Sequence, residues 1–116
     1  MSHIKQTDLQ EGKIVVLELR GNYVGGEETD ELRDTIKKLS DEENLKLVMD
    51  LGEVSYLNSS ALGVLIAAHA NYVKRGGKIK LCQLNKNLEN LFVITKLSLI
   101  FDSYPSQIEA IASFSN

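Results

Sequence analysis

The chain is poor in the residues from which most reactive sites are built. It has one cysteine, Cys82, and two histidines, His3 and His69, among 116 residues. A single thiol forms neither an internal disulfide nor a cysteine-based zinc cluster. Set in an apolar run, Cys82 reads as a small hydrophobe. His69 falls on the apolar face of a helical pattern and reads as a core or half-buried residue rather than a base or ligand. His3 is far away in sequence, so no Ser-His-Asp arrangement can be assembled. No Gly-x-x-x-x-Gly-Lys-Ser/Thr loop occurs, and Gly21, Gly25 and Gly26 do not make the dinucleotide fingerprint. Carboxylates are plentiful, but none stands isolated in an apolar stretch where its pKa would rise. No catalytic residue, metal ligand set or cofactor is therefore expected, and the chain reads as a non-enzyme.

Two further absences concern partners. The 13 basic residues are spread out, against 16 acidic ones and a net charge of −3. With no dense Lys/Arg block or aromatic-interleaved basic stripe, a nucleic-acid partner is not expected. No apolar run is long enough to span a bilayer, and Met1-Ser2-His3-Ile4-Lys5 leads directly into polar sequence rather than a signal peptide. The expected setting is the cytoplasm, without direct membrane insertion.

What is present is an ordinary globular composition, 43% hydrophobic and 25% charged, at a length that fits one domain over residues 1–116. Ile4–Leu9 reads as an edge strand, and Ile14–Leu19 is rich in β-branched residues and reads as a strand ended by Gly21. A loop follows to Gly26. Leu32, Ile36 and Leu39 recur at helical spacing and predict a helix over Glu27–Leu39. Its acidic start, Glu27, Glu28, Asp30 and Glu31, suits the positive end of a helix dipole. Leu45–Leu51 predicts a strand, followed by a loop through Gly52 and Ser55. A helix from Ser59 to Lys74 carries Leu62, Leu65, Ile66, His69, Tyr72 and Val73 on one face and ends at Gly76-Gly77. Ile79–Leu84 predicts a strand, Asn85–Lys96 a helix, and Leu99-Ile100-Phe101 a last strand. A final helix begins at Pro105. The order β-β-α-β-α-β-α-β-α predicts an α/β fold: a mixed, largely parallel sheet with covering helices.

One segment departs from generic core: Val54-Ser55-Tyr56-Leu57-Asn58-Ser59-Ser60-Ala61-Leu62-Gly63-Val64-Leu65. Asn58 and Ser59 are both preferred helix-capping types, which any helix start requires. A hydroxyl at this position is also well placed to carry a phosphate, because unpaired amides and the helix dipole favour an anion there. Ser59, Gly63, Ala67 and Ala70 then form a stripe of small residues along the helix. Two readings stay open from the pattern: an exposed stripe that lets a partner approach closely, or a buried one that lets an internal element pack tightly.

The stretch Val48-Met49-Asp50-Leu51, the run Asn58-Ser59-Ser60-Ala61-Leu62-Gly63, the Gly76-Gly77-Lys78 turn, the strand Ile79–Leu84 and Leu97-Ser98-Leu99-Ile100-Phe101 together resemble the signature of the STAS domain. That family is named for sulfate transporters and anti-sigma-factor antagonists. The resemblance covers nearly the whole chain. It implies a partner switch in which a serine kinase that doubles as anti-sigma factor phosphorylates Ser59 and a PP2C-type phosphatase resets it. It further implies a docking surface formed by Tyr23, Val24, Gly25 and Gly26 together with Asn58, Ser59, Ser60, Gly63 and Ala67. The family pattern has Asp where this chain has Asn58 and Val24, and Gly where it has Ala61. The alternative implied by the family is a non-phosphorylated accessory or scaffold subunit of a transport ATPase or signalling assembly.

Overall fold

The computed structural model describes residues 3–23 and 26–115. The chain runs β1 (Ile4–Leu9), β2 (Ile14–Tyr23), α1 (Glu27–Asp41), β3 (Lys46–Leu57), α2 (Ser59–Lys74), β4 (Lys78–Cys82), α3 (Lys86–Ile94), β5 (Asp102–Tyr104) and α4 (Gln107–Ala112). Short 3₁₀ turns lie at Leu97–Leu99 and Ser113–Ser115. The five strands form one sheet in the order β1-β2-β3-β4-β5. β1 is antiparallel to β2, and every later pair is parallel. The expected architecture and element order are thus present.

Parallel strands are buried on both faces and read as continuous apolar runs. The centres of β2, β3 and β4 obey this: Ile14–Leu17, Leu47–Met49 and Ile79–Cys82 are all buried. One face carries Leu17, Leu19, Leu47, Met49 and Leu81 against Leu32, Ile36 and Leu39 of α1, Leu65 and Tyr72 of α2, and Leu88 and Phe92 of α3. The opposite face carries Val16, Val48 and Cys82 against Ala110 of α4.

Among the described residues that second face is covered by the six-residue α4 and the short turn after it, and two polar contacts fix this segment in place. Asp50 accepts from Gln83 Nε2 at 2.9 Å and from Gln107 Nε2 at 2.6 Å through Oδ2, while its Oδ1 accepts from Gly52 N. Lys80, 7% exposed, donates to Ser113 Oγ at 2.8 Å and lies over the rings of Tyr104 and Phe114. Burying an ammonium is tolerable only when it is hydrogen-bonded or set against ring faces, and here it is both.

Several expected boundaries move. β2 does not stop at Gly21 and β3 has no loop at Gly52 and Ser55: the two strands pair on to Tyr23 and Leu57, with register irregularities between Glu18 and Arg20 and between Gly21 and Asn22. Gly21, at φ 100°, sits in this irregular stretch, which absorbs its turn-like backbone without ending the strand. The apolar triplet Leu99-Ile100-Phe101 is not a strand. Only Phe101 is buried, Leu99 is 82% exposed, and the strand follows at Asp102–Tyr104. Pro105 lies just before the final helix, whose cap is Ser106, its side chain accepting from Glu109 N. On α2, Ile66 and Val73 are exposed, because the buried arc is rotated toward Ala61, Val64, Leu65, Ala68 and Tyr72.

Candidate functional site

The site is built where β2 and β3 end and α2 begins. Asn58 is the N-cap of α2: its backbone is extended and its Oδ1 accepts from Ala61 N at 2.8 Å. With the cap assigned to Asn58, Ser59 is the first helical residue and its side chain is relieved of that role. Ser59 and Ser60 are exposed, and neither hydroxyl makes a hydrogen bond among the described residues. The first turn of α2 holds no acidic side chain, so its dipole is not offset locally.

The N–H of Asn58 donates to Tyr23 O at 2.8 Å. This bond ties the start of α2 to the end of β2, so Tyr23 and Asn58, one from each segment expected at the docking surface, lie side by side. Within that set the residues differ in kind. The Tyr23 side chain is fully buried and its hydroxyl donates to His3 O at 3.3 Å; burial pushes its pKa up to about 12. Its part at this surface is therefore through its backbone. Val24 and Gly25 lie outside the described residues. Gly26 is exposed, at φ 68°, and opens α1.

The small-residue stripe is exposed: Ser59, Gly63, Ala67 and Ala70 all face outward. Gly63 is the informative member. A Cβ built there meets nothing within 4 Å, and its φ is not positive. Internal packing does not require a glycine here, and a glycine in a helix interior costs about 1 kcal/mol relative to alanine. Gly77 is the opposite case: a Cβ would sit 2.6 Å from Leu45 O. The α2 terminus before it closes by Gly76 N to Val73 O and Gly77 N to Tyr72 O, the Schellman pattern, with Gly76 at φ 85°.

Beside the stripe, α1 and α2 enclose an open groove of about 500 Å³. Sequence reasoning placed Gly63 and Ala67 at the site but missed the α1 wall, which includes Arg33 and Lys37. Helical periodicity marks Ile36 as inward-facing but does not say which helix α1 packs beside. His69, read as half-buried, is so; its ring meets Phe101 edge-on at 5.1 Å and its buried Nδ1 lacks a partner among the described residues. Among the described residues no group of His, Cys, Asp and Glu is arranged to hold a metal ion, and no helix is long and apolar enough to cross a membrane.

The STAS domain family matches residues 6–110, and the chain belongs to that family. It is similar to the anti-sigma-B factor antagonist of Bacillus subtilis, at 38% identity over 71 residues, 61% of this chain and 64% of that protein. The match thus spans less than two thirds of the relative's length. Two solved structures share the fold. A putative anti-sigma factor antagonist from Thermotoga maritima superposes with a TM-score of 0.82 at 19% identity, covering 97% of this chain and 95% of that one. The Bacillus cell-fate determinant SpoIIAA in its phosphorylated form gives a TM-score of 0.76 at 15% identity, covering 96% and 98%.

Proposed function

We propose that this protein is a cytoplasmic anti-sigma-factor antagonist, a regulator that binds a serine kinase acting as anti-sigma factor and is controlled by phosphorylation of Ser59. The observation that carries the reading is the placement of Ser59. Its hydroxyl is exposed and unbonded at the first position of α2, on a helix end already capped by Asn58 and free of acidic neighbours in its first turn. The names of relatives such as the Bacillus subtilis protein point the same way.

The physical logic is a change of charge at one point. A phosphate brings about −1.5 to −2 charge and three acceptor oxygens. At Ser59 it would meet the open amides of the first turn. Unphosphorylated, the chain binds the kinase and frees the sigma factor; phosphorylated, it lets go. A PP2C-type phosphatase restores the binding form. Asn58 in place of an aspartate keeps the cap and leaves Ser59 with one negative charge fewer beside it.

The test is peptide mass spectrometry on the protein captured from its own cells, with co-captured proteins identified in the same sample. Phosphate on Ser59, a serine kinase alongside, intact binding by Ser59→Ala and weakened binding by Ser59→Asp are expected. Equal binding by both variants would sink the switch. A stable complex with transporter or scaffold subunits that ignores Ser59 would assign the chain to accessory-subunit work instead.

A further inference from the structure

We infer that the groove between α1 and α2 is the seat for a short amphipathic helix of a partner protein, one that carries aliphatic side chains and acidic residues. The inference rests on the binding-module reading above and gives the partner's contact segment a chemistry. The floor is apolar and small: Ile36 and Val64 at the bottom, Gly63 and Ala67 along the α2 side. The charged side chains lining the groove are both cationic, Arg33 and Lys37 on α1. Each makes an exposed ion pair along its own helix, with Asp30 at 2.8 Å and Asp41 at 3.3 Å, and neither acid lines the groove.

Three features select a helix. From Ser60 to Asn71 the α2 wall runs over twelve residues, whose eleven steps of about 1.5 Å make about 16 Å, or three turns. An aliphatic stripe at i, i+3, i+4 and i+7 fills a trough of that length, as helix-in-groove recognition does elsewhere. Gly63 offers open space one turn from the Ser60 end of the wall, so the incoming backbone can come close where nothing internal needs the room. The groove is open rather than enclosed, which favours a segment of a larger partner over a small ligand, since small ligands bury most of their surface. The cationic rim then selects acidic flanks by charge complementarity. Ser60 lines the upper end of the groove with Ser59 beside it, so a phosphate on Ser59 would stand close to the acidic flank of the bound helix and repel it.

The experiment uses the full chain, isotope-labelled for two-dimensional amide NMR, and three probes. The first is a helix-stabilised peptide of about 15 residues with leucines at i, i+3, i+4 and i+7 and flanking glutamates. The second has lysines in place of the glutamates, and the third is sodium dodecanoate. The expected result is shifts at Gly63, Val64, Ala67 and Ile36 with the glutamate peptide, at least about tenfold weaker binding of the lysine peptide, and a similar loss in the Arg33→Glu/Lys37→Glu double variant. Gly63→Leu, whose Cβ would meet nothing within 4 Å, should block binding in a folded protein. No shifts along the groove, equal binding of both peptides, or shifts with dodecanoate alone would overturn the inference.

Protein with phosphoserine at position 59 separates this inference from the switch. Binding of the glutamate peptide that ignores the phosphate keeps the groove and removes the switch. A kinase released by phosphate, from a protein whose groove binds neither peptide, keeps the switch and removes the groove.

Discussion

Asn58 holds two chain segments at once: its N–H donates to Tyr23 O at 2.8 Å while its side chain accepts from Ala61 N at 2.8 Å. Removing the side chain leaves the first contact and breaks the second. Asn58→Ala is expected to cost about 1 kcal/mol, the usual loss for a cap. Asn58→Asp keeps an acceptor and adds a negative charge to the positive end of α2, a gain of about 0.3–1 kcal/mol. Urea denaturation of the two variants checks both signs, and an unchanged midpoint in Asn58→Ala would remove the cap from the account.

The same substitution should act in opposite directions at two glycines. Gly63→Ala places a methyl in open space on a helix, so a gain of about 0.5–1 kcal/mol is expected. Gly77→Ala drives a methyl to 2.6 Å from Leu45 O, and the backbone must shift to admit it, so stability should fall by more than that gain. Thermal melts of the pair decide it; a destabilised Gly63→Ala would mean the space is not open in solution.

Leu97 and Leu99 lie two residues apart and should respond differently. Leu97 is 4% exposed and Leu99 is 82% exposed. Leu97→Ala is expected to cost about 2–4 kcal/mol through lost burial and the cavity left behind. Leu99→Ser should stay within about 0.5 kcal/mol of the parent. Comparable losses at the two positions would place Leu99 in a packed environment.

Alkaline stability follows from three buried acids. Burial pushes Tyr23, Tyr72 and Cys82 up to about 12, from ordinary values of 10.0, 10.0 and 9.0. For each, the folded state holds its proton more tightly than the unfolded chain does. Their contribution is therefore full below the unfolded values and is lost as pH rises toward about 12. Unfolding free energy measured against pH should be insensitive to these groups below about 8.5, begin to fall near 9 as the unfolded thiol ionises, and steepen above 10. Cys82→Ala should move the onset from 9 to 10. An onset that does not move would separate Cys82 from the effect.

The fold was largely legible because its main signals are local. A β-branched run marked β2, short apolar runs marked β3 and β4, and Leu32, Ile36 and Leu39 marked α1 with its buried face. The errors came where a local signal was overruled by pairing. Gly21, Gly52 and Ser55 look like breakers, yet parallel pairing continues through them to Tyr23 and Leu57. Leu99-Ile100-Phe101 has the composition of a strand, but Lys96 turns left-handed at φ 64° and a 3₁₀ turn sends Leu99 outward. Polar Asp102 and Ser103, at the sheet edge, take the ladder instead. At the site, Asn58 and Ser59 were readable as a helix start. Which of them caps, and that Arg33 and Lys37 overlook Gly63, depend on how α1 packs beside α2.

Lys80 gives the molecule an internal timer. It is 7% exposed and held by Ser113 between two aromatic rings, whereas the other nine lysines are exposed. Among the lysines, an amine-acylating reagent should therefore label nine quickly and the tenth only when the C-terminal turn lifts away. The lag of that last label measures how often α4 leaves the sheet. Anything that clamps or loosens that face, however distant from Ser59, will be readable as a change in the rate of a single mass increment.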